Sequence, residues 1–284
     1  MMQPRKIPVA QLTRRLRAAD LLIEESDTDI SVSGISDDSR AVTRGDLFCA
    51  WAGSSTDAHD YVGAAAGAGA VAAIVERRVA EVDIPQVVVR DGRRAAAIAA
   101  SVFYGEPEHS LRLAAVTGTN GKTTSVWMLR HMLSQREPSA SIGTLGVILE
   151  DGSVLPDSES LTTPGPVELA RTLRLLADRG VRALAMEVSS HALHQKRVDA
   201  LEFDVAVFTN LSRDHLDYHE TLEAYLEAKR SLVQLLGSEG SAIINADDPA
   251  WKGLAREASA SLTFGVEHMA DVRATDIELS ATGA

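Results

Sequence analysis

The sequence predicts an α/β protein: a small N-terminal α/β domain, then a doubly wound, mostly parallel sheet of the P-loop ATPase kind. Three observations predict it. Short apolar runs alternate with helix-length runs along the 284 residues, the order expected of parallel strands joined by crossover helices. One apolar run, Leu111 to Val116, enters a glycine turn and leaves it as a helix-like stretch from Ser125 to Gln135. The polar segments that could carry chemistry follow apolar runs, and in such sheets ligands bind beyond the strand C-termini.

Leu12, Leu16, Ala19 and Ile23 recur at helical spacing and predict an amphipathic helix over 9–25. Residues 30–35 alternate as one short strand, followed by a polar loop from Ser36 to Arg40. Gly45 and Asp46 introduce a buried strand over 47–52, and Gly53, Ser54, Ser55 and Thr56 read as a loop. A small-residue helix over 64–70, strands over 72–75 and 85–89, and a helix over 93–104 complete a first domain, 1–109. The second domain, 110–284, begins with the strand and glycine turn. A strand pair follows at 141–144 and 147–149, then a loop over 157–166 and an amphipathic helix over 167–179 closed by Gly180. A strand over 182–188 carries Glu187 at its end. Residues 203–208 form a strand, 221–236 a helix and 242–245 a last strand.

The net charge of −12 argues against a nucleic-acid partner, because phosphate backbones attract a Lys and Arg surplus. The single cysteine, Cys49, excludes an internal disulfide and gives no sign of an oxidising compartment. Basic residues interrupt the first 22 positions, unlike a signal peptide. The most apolar run, 62–75, is shorter than the ~20 residues that span a bilayer. A soluble cytoplasmic protein without membrane insertion is expected.

The glycine turn reads Gly118, Thr119, Asn120, Gly121, Lys122, Thr123, Thr124. Two glycines allow a tight turn that brings backbone N–H groups close to an anion, and a helix start adds more. Lys122 supplies a cation for outer phosphates, and the Thr123 hydroxyl suits magnesium. Val116 stands where the full G-x-x-x-x-G-K-[ST] pattern has its first glycine. Glu187, ending a strand that could lie beside this loop, could share the magnesium. Asp214, His215, Asp217 and His219 offer metal ligands within one turn, or equally a solvated start to the next helix. On spacing alone, Lys229 is a surface lysine in i,i+4 pairs.

Taken together, Gly118 to Thr124, Glu187 to His191 and Thr209 to His219 closely resemble the Mur ligases of peptidoglycan synthesis. Asp38, Ser39 and Arg40, then Gly45 to Phe48, with Leu161 to Pro164, resemble the branch that adds a diamino acid as the third peptide residue. The resemblance implies three domains, which bind a UDP-sugar, ATP and the incoming amino acid. Ala284 then falls inside the central domain, with the third domain absent. It implies ATP and Mg2+ as cofactors. It also implies an acyl phosphate on UDP-N-acetylmuramoyl-L-alanyl-D-glutamate, which an amine displaces. That amine belongs to meso-diaminopimelate by preference, or to L-lysine, the family's other usual choice.

By the same resemblance, residues 118–124 hold ATP, Thr123 and Glu187 hold one magnesium, and His215 and Lys229 serve a second. Lys229 matches a lysine carbamylated by carbon dioxide. Ser39, Ser54, Ser55, Thr56, Thr162, Thr163, Ser189, Gln195 and Arg197 match substrate contacts, and Asp37 stands where relatives can carry an apolar residue. A monomer is expected. As it stands, the chain also fits a UDP-sugar and nucleotide binder without turnover, or another Mur-type ligase.

Overall fold

A computed structural model describes residues 6–25, 29–53, 56–156, 158 and 161–278. In chain order, β1 (Ile7–Pro8) leads into α1 (Val9–Ala18), which buries Val9, Leu12 and Leu16 as their spacing predicts. The helix ends seven residues before the expected 25. Asp20 takes a left-handed conformation (φ 57°), and the chain re-emerges as β2 (Leu22–Glu24), with Ile23 exposed. The expected single strand at 30–35 is divided. Its first part, β3 (Ser31–Val32), pairs antiparallel with β1, while β4 (Gly34–Ser36) joins a larger sheet. There follow β5 (Asp46–Cys49), α2 (Val62–Ala68), β6 (Ala72–Val75), β7 (Gln86–Val89) and α3 (Gly92–Tyr104). The larger sheet runs β2-β7-β6-β5-β4, parallel except for β2. Asp91 caps α3 by accepting the Arg94 N–H at 3.0 Å, and the helix packs an alanine face, Ala95, Ala96, Ala99 and Ala100, into the core.

The chain continues with β8 (Arg112–Thr117), α4 (Lys122–Ser134), β9 (Ser139–Gly143), β10 (Gly146–Ile148), α5 (Pro166–Asp178), β11 (Ala183–Glu187), α6 (Ser190–His194) and β12 (Phe203–Phe208). It then forms α7 (Leu216–His219), α8 (Leu222–Arg230), β13 (Leu236–Asn245), β14 (Ala260–Gly265) and β15 (Val272–Arg273). The helix expected over 221–236 stops at Arg230, continues as the 3-10 turn Ser231–Leu235, and gives way to a strand longer than predicted. Neither β14 nor β15 was expected.

Contacts divide the chain into two units. One takes Met1–His109, Pro164–Asp178 and Gln195–Ala200, so α5 packs on α3 there; the other takes Ser110–Thr163, Arg179–His194 and Leu201–Ala284. In the second unit an eight-stranded sheet runs β10-β9-β11-β8-β12-β13-β14-β15, parallel except for β10. This is the predicted fold class. β8 lies between β11 and β12, with Val116 in register with Glu187 on one side and Val207 on the other. The chain leaves β8 for one side and returns on the other, so a crevice opens beyond its C-terminus.

Candidate functional site

The glycine turn after β8 fills that crevice. Gly118 has φ 145°, and a Cβ there would lie 1.9 Å from the Thr209 hydroxyl. Only glycine fits. The end of β12 clamps the turn from the side. Thr119 N–H donates to the Asn210 carbonyl at 2.7 Å, and Asn120 N–H donates to Asn210 Oδ1 at 2.9 Å. Asn210 Nδ2 donates back to the Asn120 carbonyl at 3.1 Å. Two N–H groups expected to face an anion serve this clamp instead. The open donors lie one step later. α4 starts at Lys122 after Gly121, which offers no capping side chain, so among the described residues no side-chain cap covers its first-turn N–H groups.

Two lysines converge on one carbonyl. Lys122 Nζ donates to Gly118 O at 3.0 Å and to Thr119 O at 2.9 Å. Lys229 Nζ, from α8, donates to the same Gly118 O at 2.8 Å. Lys229 is 1 % exposed, which overturns the surface reading its spacing suggests. Burial, and then the Lys122 charge, push its pKa down to about 7. Burial also lowers Lys122, against the opposing pull of Glu187 and Asp214. Glu187 is 1 % exposed, and its carboxylate accepts the Thr144 N–H at 2.9 Å. Among the described residues it has no basic partner within ion-pair distance.

Thr163 and Ser189 lie on the same side. The Thr163 hydroxyl donates to the Glu187 carbonyl at 2.9 Å and accepts the Ser189 N–H at 3.1 Å. The Thr162 and Thr144 hydroxyls are 3.2 Å apart.

Residues 214–219 differ in their exposure. His215 and Asp214 are half exposed. His219 is buried beside His191 at 5.5 Å, His194 at 5.8 Å and Tyr225 at 5.3 Å between ring centroids, and the His215 ring reaches the same His191 at 4.8 Å. Burial first, then the neighbouring histidines and Lys229, push His219 down to about 4. Among the described residues no three His, Cys, Asp or Glu side chains are spaced to hold a metal ion.

Residues 116–284 match the Mur ligase middle domain family, more than half of the chain. The chain belongs to the Mur ligase family. It is similar to the UDP-N-acetylmuramoyl-L-alanyl-D-glutamate–2,6-diaminopimelate ligase of Bacillus licheniformis, 41 % identical over 90 % of this chain and 53 % of that protein. It is also similar to the ligase of the same name from Geobacillus thermodenitrificans, 43 % identical over 87 % of this chain and 51 % of that one. A solved structure of a ligase of that name superposes with TM-score 0.82 at 29 % identity, over 98 % of this chain and 56 % of that one. The chain spans about half the length of the curated relatives it matches.

The donor set of this Mur ligase unit fits magnesium. A Thr123 hydroxyl at the start of α4 and, at the end of β11, a buried carboxylate with no basic partner among the described residues are hard oxygen ligands beside a phosphate-type loop.

The first unit carries the remaining expected positions. Ser39 lies in a loop folded on itself, where Asp38 accepts from Arg40 N–H at 3.0 Å and from its guanidinium at 2.8 Å. Thr56 is exposed, with its carbonyl accepting from Gly53 N–H at 2.9 Å. Ser54 and Ser55 lie outside the described residues. The Gln195 Oε1 accepts from the Arg197 guanidinium at 2.6 and 3.0 Å. Asp37 faces Arg197, yet burial pushes its carboxyl above the ordinary range. A cleft of about 750 Å³ in this unit runs past Asp37, Tyr104, Glu168 and Arg171, and Ser39, Thr56, Gln195 and Arg197 are not among its lining residues.

Proposed function

We propose that this Mur ligase chain carries the nucleotide- and UDP-substrate-binding parts of an ATP-dependent amide ligase of peptidoglycan synthesis. Its substrates are UDP-N-acetylmuramoyl-L-alanyl-D-glutamate and a diamino acid, meso-diaminopimelate in preference to L-lysine, since its relatives are named as 2,6-diaminopimelate ligases. The observation that carries the reading is the meeting of Lys122 and Lys229 on the Gly118 carbonyl of a glycine loop, beside a buried Glu187.

The chemistry follows from charge. A carboxylate is a poor acyl donor, so phosphoryl transfer from ATP activates it as an acyl phosphate. The amine then attacks the acyl carbon and phosphate leaves. Two anions must meet first, so electrostatic stabilisation dominates. The first-turn N–H groups of α4 and Lys122 hold the outer phosphates, within the ATP loop 118–124. Thr123 and Glu187 hold Mg2+, which offsets charge on the phosphates. Lys229, as a buried amine near neutrality, takes up carbon dioxide with loss of a proton and becomes an anionic carbamate. With His215 it then serves a second metal. In the domain over 1–109, Ser39 and the loop of Ser54, Ser55 and Thr56 contact the UDP-sugar. Thr162, Thr163, Ser189, Gln195 and Arg197 contact the same UDP substrate, and the Arg197 fork suits a phosphate or a carboxylate. The ligase works as a cytoplasmic monomer. No helix among the described residues is long and apolar enough to cross a membrane.

Calorimetry with the 284-residue chain tests the reading. Heat is expected with the UDP-muramoyl dipeptide, and separately with magnesium and a non-hydrolysable ATP analogue. Heat from neither, or from a folate substrate in place of the dipeptide, refutes it.

A further inference from the structure

Tyr225 has no part in the chemistry just described, yet it is among the largest fully buried side chains, 1 % exposed. It precedes Lys229 by four positions on α8, so both project from one face. Its hydroxyl lies 3.2 Å from Thr119 Oγ1, and its ring lies 4.5 Å below Lys229 Nζ. Thr119 Oγ1 also accepts the Ser212 N–H at 3.0 Å. α8 therefore grips two successive residues of the loop, Gly118 through Lys229 and Thr119 through Tyr225. On the function proposed above, Lys229 turns to a metal ion and cannot keep its present bond to Gly118 O as an ammonium. Tyr225 then keeps a tie between α8 and the loop.

The geometry points to Tyr225 as a positioning residue, a strut whose hydroxyl holds the phosphate loop through Thr119 in its nucleotide-binding shape. The inference rests on the nucleotide reading above. A tyrosine that only fills the core would act through its ring, which Tyr225→Phe keeps. The strut acts through the O–H, which Tyr225→Phe removes.

The test uses the 284-residue chain with magnesium and adenylyl imidodiphosphate. Tyr225→Phe is expected to weaken nucleotide binding about threefold to tenfold, the size of one neutral hydrogen bond, with the unfolding temperature nearly unchanged. Thr119→Val should weaken it similarly, the double variant no more than either single one, and Thr119→Ser should retain binding because the hydroxyl remains. Wild-type affinity in Tyr225→Phe, or fully additive losses in the double variant, would overturn the strut. A wild-type chain that binds no nucleotide would remove the reading beneath it as well.

Discussion

At the scale of single residues, the loop works by placing positive charge where the chain as a whole is negative. Lys122 donates to the Gly118 and Thr119 carbonyls, and on the proposed function it exchanges them for phosphate oxygens. A charge-assisted hydrogen bond contributes about 1.5–3 kcal/mol, so Lys122→Ala is expected to weaken binding of a magnesium–ATP analogue roughly 10- to 150-fold. Equal affinity in a titration would take Lys122 out of the phosphate site. Lys229 makes a different, pH-dependent prediction. Its pKa is about 7 in the folded chain against 10.5 for a free lysine. Between these values the unfolded chain holds a proton that the folded chain lacks, so stability rises with pH across the window. Below pH 7 both forms are protonated, and the full cost of burying the ammonium is present. Urea unfolding at pH 7, 8 and 9 in carbonate-free buffer should show a positive slope, at most ~1.4 kcal/mol per pH unit from this group. Lys229→Met should flatten it; parallel slopes for the two proteins would mean that Lys229 titrates normally.

At the scale of elements, β8, β12 and α8 set the loop between them. The loop has little choice at Gly118. Besides the Thr209 hydroxyl, the Asn210 N and O atoms lie 3.1 Å from where a Cβ would stand. Gly118→Ala is therefore expected to destabilise the chain by about 2 kcal/mol or more, and to weaken nucleotide binding further by moving Thr119 off its clamp. Chemical denaturation with nucleotide titration measures both, and an alanine variant as stable as wild type would contradict the packing described. The Asn210 clamp was hard to read in advance because its role is made across strands. Asn210 follows β12, and its partners follow β8, about ninety positions earlier. The α8 pair Tyr225 and Lys229 was legible as a helical i,i+4 spacing, but the side of the helix that becomes buried was not.

At the scale of the whole molecule, charge sets the choice of partner. A net charge of −12 opposes any long polyanion, while one local concentration of cations can still take a small one with magnesium. Duplex DNA at physiological salt is expected to leave the chain unbound at micromolar concentrations in an electrophoretic shift. Retardation there would show a basic surface strong enough to outweigh the net charge. The mostly parallel order of the second sheet explains why its chemistry-bearing segments gather. Loops after β8, β11 and β12 all leave the same edge, because parallel strands end together.

The sequence by itself determined the α/β class, the glycine loop between a strand and a helix, and the strand-like runs from Leu111 to Val116 and from Phe203 to Phe208. These are local signals, since periodicity and glycine conformations are read within a few residues. Tertiary structure alone decided which sheet each short strand joins. It divided residues 30–35 between two sheets, ended the first helix at Ala18 and placed α5 with the first unit. It also decided that Lys229, alike in sequence to any helical surface lysine, is buried against Gly118. Strand pairing and burial depend on partners far along the chain, and a local pattern carries no record of them.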